Sequence, residues 1–381
     1  MSSAPVDSEI VEAPAPHLRA APPPESAACS PPRRLRLKLS LYYGFMTPLL
    51  CVTAVAGIAI GSTQVSWDVT LRVIGGHLLP EGWIDTHAIT RADQVIVWLI
   101  RVPRVVVAAL VGAGLSVAGV QMQGLFRNPL AEPGITGVGA GAVLGAVIVF
   151  VAGWTTHSVV WLPLAAFAGA LLALFVVYAI ATQGGVTPVS TLLLAGIALG
   201  ALLSALSSLL ISLSIVNWQI AQEIVFWMMG GLDSRSWTHV WLNAPFTFIG
   251  IVVALLFSRE LDVLLHGEDI AASLGIEVEP LKRVIMTTAA LLTGASVAVA
   301  GMVGFVGLII PHTVRLLLGP SHRILIPASA LAGAVFLILC DLAARTVHPP
   351  TEVRLGILTA LCGAPFFLFL LVRRYSEVQR G

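Results

Sequence analysis

From Val105 to Gln123 the chain reads VVVAALVGAGLSVAGVQMQ, with no charged residue between Arg104 and Arg127. Crossing the hydrocarbon of a bilayer as an α-helix takes about 20 predominantly apolar residues. A helix satisfies all its own backbone hydrogen bonds, so such a run can sit in lipid. The same kind of run recurs on both sides, near residues 41–60, 134–153, 159–181, 189–214, 240–257, 284–300, 303–318, 324–344 and 355–372. With 103–123 these make ten candidate spans; 303–318 is the shortest and carries Pro311.

Composition agrees. Of the 381 residues, 57% are hydrophobic and 11% charged, against about 25% charged in a soluble domain. The expected fold is an all-α membrane protein, a compact bundle of about ten transmembrane helices with both termini cytoplasmic. That orientation puts about twice as many Arg and Lys in the inside segments as in the outside ones, as the positive-inside rule asks. Glycines recur at four-residue spacing, as in Gly57/Gly61, Gly137/Gly141/Gly145 and Gly196/Gly200. In lipid, such small faces let helices approach closely.

The expected organisation has three parts. Residues 1–40 form a disordered Pro/Ala-rich cytoplasmic tail, with runs such as Ala21-Pro22-Pro23-Pro24, ending in the basic cluster Arg33, Arg34, Arg36 and Lys38. Basic-then-apolar is also the look of a signal peptide, but this apolar run is long for one and starts far from the N-terminus. Residues 41–375 are the ten-helix membrane domain, with 258–283 a cytoplasmic segment inside it. Residues 376–381 are a short C-terminal tail. The net charge of +1 gives no reason to expect a nucleic-acid partner. Cys29, Cys51, Cys340 and Cys362 show no metal or disulfide spacing, and no cofactor is expected.

Four features bear on function. The chain has no phosphate-cradling Gly-Lys-Ser/Thr loop: its only lysines are Lys38 and Lys282, and neither follows Gly. Any ATP it uses must be hydrolysed elsewhere. Asp341 is nearly the only acid inside a span, and Arg345 follows four residues later, a spacing that allows an ion pair on one helix face. Within Ser258–Arg283, Ile270 and Leu274 share a helical face, Gly275 supplies a stop, and Glu268 and Asp269 make the segment acidic. An acidic helix suits a protein partner better than an anionic lipid surface. Phe126-Arg127-Asn128-Pro129-Leu130-Ala131-Glu132-Pro133-Gly134 is a rigid turn; a turn alone needs nothing more, while Asn128 and Glu132 could also line a pore mouth. Arg101, Arg104 and Arg345 fall on the outside, either as residues of translocated loops or as a docking surface for an acidic partner.

Several long stretches, in order, resemble the FecCD-type permeases, the membrane subunits of ABC importers for ferric siderophores, haem and cobalamin. They are Arg101-Val102-Pro103-Arg104, Gln123-Gly124-Leu125-Phe126-Arg127-Asn128-Pro129-Leu130-Ala131-Glu132-Pro133-Gly134, Leu192-Leu193-Leu194-Ala195-Gly196, Phe226-Trp227-Met228-Met229-Gly230-Gly231 and Val303-Gly304-Phe305-Val306-Gly307-Leu308-Ile309-Ile310-Pro311-His312. The resemblance spans about residues 41–375. It implies a non-enzymatic permease of the cytoplasmic (inner) membrane, working as a homodimer with separate ATP-binding-cassette ATPase subunits and an extracytoplasmic substrate-binding protein. It implies docking of that protein at Arg101, Arg104 and Arg345. It implies a cytoplasmic gate at Asn128, Leu130 and Ser190, although Thr187-Pro188-Val189-Ser190 departs from the family's Ser/Thr-rich run. It implies ATPase coupling through Gly267, Glu268, Asp269, Ala271, Leu274 and Gly275. The cargo class is a metal-chelate.

Two alternatives belong to other classes. An ion-gradient-driven carrier would use intramembrane acids, which are scarce here. An intramembrane hydrolase would need a nucleophile and base at depth. Serines such as Ser204, Ser207 and Ser208 occur in a span, but serines there commonly bond back to their own backbone. His312, the nearest candidate base, follows the helix-breaking Pro311 and fits a structural role better.

Overall fold

The computed structural model describes residues 33–61, 63, 65–80, 83–85, 89–214, 218–349 and 351–378. Residues 1–32 of the expected tail at 1–40, and the last residues, 379–381, lie outside the described residues.

Among the described residues the secondary structure is helical, with no strand beyond one isolated bridge, Gln183 to Val186. In chain order the helices are α1 (Arg33–Ala59), α2 (Trp67–Leu78), α3 (Arg91–Gln94), α4 (Val102–Leu125), α5 (Val138–Val151), α6 (Trp161–Ala181), α7 (Val189–Leu213), α8 (Trp218–Met228), α9 (Trp237–Leu256), α10 (Ser258–Leu264), α11 (Glu268–Ser273), α12 (Val278–Ala300), α13 (Val306–Leu318), α14 (His322–Thr346) and α15 (Leu355–Val378). A π-helical turn, Val95–Arg101, joins α3 to α4 in one continuous rod.

Each of the ten expected segments falls on a helix. Seven helices are long and apolar enough to cross a membrane; α5, α13 and the Leu355–Phe369 part of α15 are shorter apolar helices. Three features differ from expectation, the first being that the expected tail at 376–381 begins inside α15, which runs on to Val378. The basic cluster at Arg33–Lys38 belongs to the first turns of α1 rather than to a preceding tail. α8 was not among the expected segments, because Gln219, Gln222 and Glu223 interrupt its apolar run.

The centre of the bundle is α4, α12 and α14. In α12, 78% of the most apolar stretch is buried, against 17% in α7, which lies at the periphery. The arginines at the start of α4 lie against the Gly57–Ile60 end of α1 and the Asp341–Arg345 end of α14. At the other end of α4, Gly124 meets the ring of His322, at the start of α14. α4 therefore has an arginine end and a loop end, about 36 Å apart for 24 residues at 1.5 Å each.

Candidate functional site

All six expected coupling residues and all three expected gate residues lie at the loop end. α10 buries Leu261 and Leu264, and the chain turns at Gly267 with φ 123°, a conformation that favours glycine. α11 then buries Ala271 and ends at Gly275, φ 82°. There the Gly275 N–H donates to Ala272 O and the Ile276 N–H to Ala271 O, both at 3.0 Å, taking carbonyls the helix end leaves free. Asp269, Ile270 and Leu274 face away from the bundle, with Ile270 49% and Leu274 66% exposed. Glu268 does the opposite and turns inward.

Glu268 meets Lys282, whose side chain is 2% exposed. The Lys282 ammonium lies 2.6 Å from Glu268 Oε2 and 3.0 Å from Glu279 Oε1, and donates to Thr187 O at 3.1 Å. Glu279 Oε2 accepts the Thr187 N–H at 3.1 Å. Pro188 then caps α7, and Ser190 stands exposed in its first turn.

α10 has a separate anchor. Asp262 Oδ1 accepts the His322 backbone N–H at 2.7 Å and lies 2.6 Å from His322 Nδ1; Oδ2 accepts from Ser321 at 3.2 Å. Burial alone would raise the Asp262 carboxyl, but these donors outweigh it and hold the group below the usual carboxylate range.

The Asn-Pro loop is built by its own turn. Asn128 Oδ1 accepts the Leu130 N–H, and Asn128 O the Ala131 N–H, both at 3.0 Å. Asn128 is exposed and Leu130 half-buried. Arg127, at φ 49°, brings its guanidinium beside Gly267, just before α11. Glu132 reaches inward instead: its Oε1 accepts the N–H of Phe305, the cap of α13, at 3.0 Å. A carboxylate there suits the positive end of that helix.

At the arginine end, the structure brings Arg101, Arg104 and Arg345 together but turns them inward, at 5%, 9% and 8% exposure. Arg101 donates to Ile58 O at 2.9 Å, to Ala59 O at 2.7 Å, and to Thr63 O. Arg345 donates to Gly57 O at 2.8 Å and Ile60 O at 3.0 Å. The final carbonyls of α1 lack partners inside the helix, and the two guanidinium groups supply them. Asp341 lies between Arg104, at 2.8 Å, and Arg345, at 3.2 Å. The expected Asp341–Arg345 pair is present, with Arg104 as a third member. Arg104 also grips Glu352 through two bonds, at 2.7 and 3.0 Å. Glu352 and the Arg354–Asp233 pair, at 3.1 Å, form the more exposed rim.

Lys282, Glu279, Thr187, Asp262, His322 and Glu352 were not among the expected site residues. Only the Glu279/Lys282 spacing of three residues hinted at a pair. Ser207 and Ser208 donate to Leu203 O and Ser204 O one turn back, both at 2.9 Å, so their hydroxyls serve their own helix.

The FecCD transport family matches residues 49–373 of the chain. A cobalamin import system permease protein of Halobacterium salinarum is 48% identical over 288 residues, 75% of each chain. An Fe(3+)-citrate import system permease protein of Bacillus subtilis is 42% identical, over 73% of this chain and 81% of its own. The solved structure of a metal-chelate type ABC transporter in an inward-facing conformation superposes with a TM-score of 0.76. It is 32% identical and covers 88% of this chain and 99% of that one.

Proposed function

The chain belongs to the FecCD transport family, as a permease subunit of ABC importers for iron chelates, haem or cobalamin, and we propose that it moves a cobalamin-type metal-chelate with ATP hydrolysed by a partner. Two copies pair around a central pathway. Ten crossings leave both termini cytoplasmic, with the loop end of α4 facing the cytoplasm. An ATP-binding-cassette subunit seats on α10 and α11 of each copy, and a substrate-binding protein docks at the arginine end. ATP closes the ATPases, α11 moves with them, and the gate at Asn128, Leu130 and Ser190 opens or shuts. Such a switch must exploit contacts that differ between its two states.

One observation carries this. The outward face of α11 presents Asp269, Ile270 and Leu274 on a short helix beside the gate, where lipid solvation gives no reason for an acid. Apolar side chains around an acid, unpacked by the rest of the chain, suit a protein surface. Cobalamin is the first cargo to try, on the 48% identity to the Halobacterium permease.

Docking at the arginine end works through the rim. With Arg101 and Arg345 committed to α1, the approachable groups are Glu352, Arg354 and the outer edge of Arg104. A carboxylate of the binding protein that replaces Glu352 on Arg104 completes the dock.

The test is purification of the tagged chain from its native membrane in mild detergent, with the copurifying proteins identified by mass spectrometry. An ATP-binding-cassette subunit in equal amount is expected. A folded chain that comes out alone contradicts the proposal.

A further inference from the structure

The structure joins the coupling segment to the gate through one buried ammonium. Lys282 is one of two lysines in the chain, and it touches three elements at once: α11 through Glu268, its own helix α12 through Glu279, and the entry to α7 through Thr187. Thr187 is fully buried, and the Lys282–Glu279 pair takes both its carbonyl and its N–H. Its hydroxyl is taken too, by Tyr178 at 3.1 Å and Thr182 at 2.9 Å. The next residue, Pro188, has no N–H and a fixed φ. A pull on Thr187 therefore passes to the first turn of α7, where Ser190 sits.

Resting on the coupling role of α11, we propose that Lys282 is the positioning residue that transmits the displacement of α11 to the start of α7, with Glu268 as its grip on the moving helix. Glu268 is the separable half of this joint. When it is neutralised, Lys282 keeps Glu279 and is not left as an unpaired buried charge. The fold then survives while the link to α11 is cut. Asp262 and His322 hold α10 to α14 independently, so α10 stays seated.

The experiment measures spin-label distances in the full complex with its ATPase in lipid nanodiscs, using a chain whose four native cysteines are replaced by serine. Labels go on S273C, at the end of α11, and V186C, just before Thr187; both positions are exposed. In the otherwise native chain the distance distribution is narrow and unchanged between the nucleotide-free and vanadate-trapped states, because the two sites move as one body. K282R keeps that behaviour. E268Q and K282M broaden the distribution and shift it when nucleotide is trapped. If E268Q stays as narrow and as nucleotide-independent as the native chain, the inference is overturned. A cysteine at Asp269 separates the two levels. If it cross-links to the ATPase while E268Q has no effect on the distance, only the transmission role of Lys282 fails. If no such cross-link forms, the coupling role of α11 fails and the inference with it.

Discussion

Gly119 of α4 and Gly307 of α13 meet backbone to backbone: a Cβ on Gly119 would stand 1.8 Å from the Gly307 carbonyl oxygen. α13 has only 13 residues and begins at depth, held there by this contact and by Glu132 on the Phe305 N–H. Overpacking a tight interface costs about 1–3 kcal/mol and more where backbone must move. Gly119→Ala therefore lowers the thermal midpoint of the detergent-solubilised chain by several degrees or abolishes its monodisperse peak. Gly304→Ala, where nothing lies within 4 Å, leaves both unchanged. Equal behaviour of the two variants contradicts this packing.

Asp341 is the hub of the arginine end. Asp341→Asn leaves Arg104 and Arg345 buried against each other without their shared carboxylate, a loss of about 3–5 kcal/mol for breaking a buried pair. A double-mutant cycle with Arg104→Gln checks it. Strong coupling between the two changes is expected; additivity would place the stability elsewhere.

Charge reversal at Arg101 or Arg345 would damage the fold, since both serve the carbonyl end of α1. The informative site is Glu352. Glu352→Gln leaves Arg104 paired with Asp341 rather than buried alone, so it costs far less stability than Asp341→Asn, and it raises the association rate of an acidic binding protein by uncovering Arg104. Surface plasmon resonance against the cognate binding protein reads this; an unchanged rate at low salt would remove Arg104 from the dock.

The Asp262 carboxyl is held below its ordinary 3.8. Its ionised form therefore adds stability that is present above the unfolded value and is lost as pH falls through the lower folded value. The difference in thermal midpoint between the native chain and Asp262→Asn is largest at neutral pH and shrinks well below 3.8. A difference that does not change with pH would show that the fold does not favour the Asp262 carboxylate over its protonated form.

The helices were legible because hydropathy over some twenty residues integrates many side chains. The Asp341–Arg345 pair and the Gly275 stop were legible because both are local, set within four residues by helix geometry. Long-range geometry was not. Arg104 finds Asp341 at 237 positions along the chain, and Lys282 finds Thr187 at 95. Nothing in the local pattern says that an arginine at a helix start turns inward to serve another helix's carbonyls. The acidic α11 segment reads as one polar face, yet Glu268 points in and Asp269 out, because Gly267 and the buried Ala271 fix the roll of the helix.

The most direct test of the ABC importer account is uptake of radiolabelled cyanocobalamin into proteoliposomes holding the chain, its ATPase and its binding protein. Uptake is expected to require ATP on the ATPase side and to persist when ionophores collapse every ion gradient. Uptake that continues without ATP and stops with the ionophore would contradict it and make the chain an ion-driven carrier.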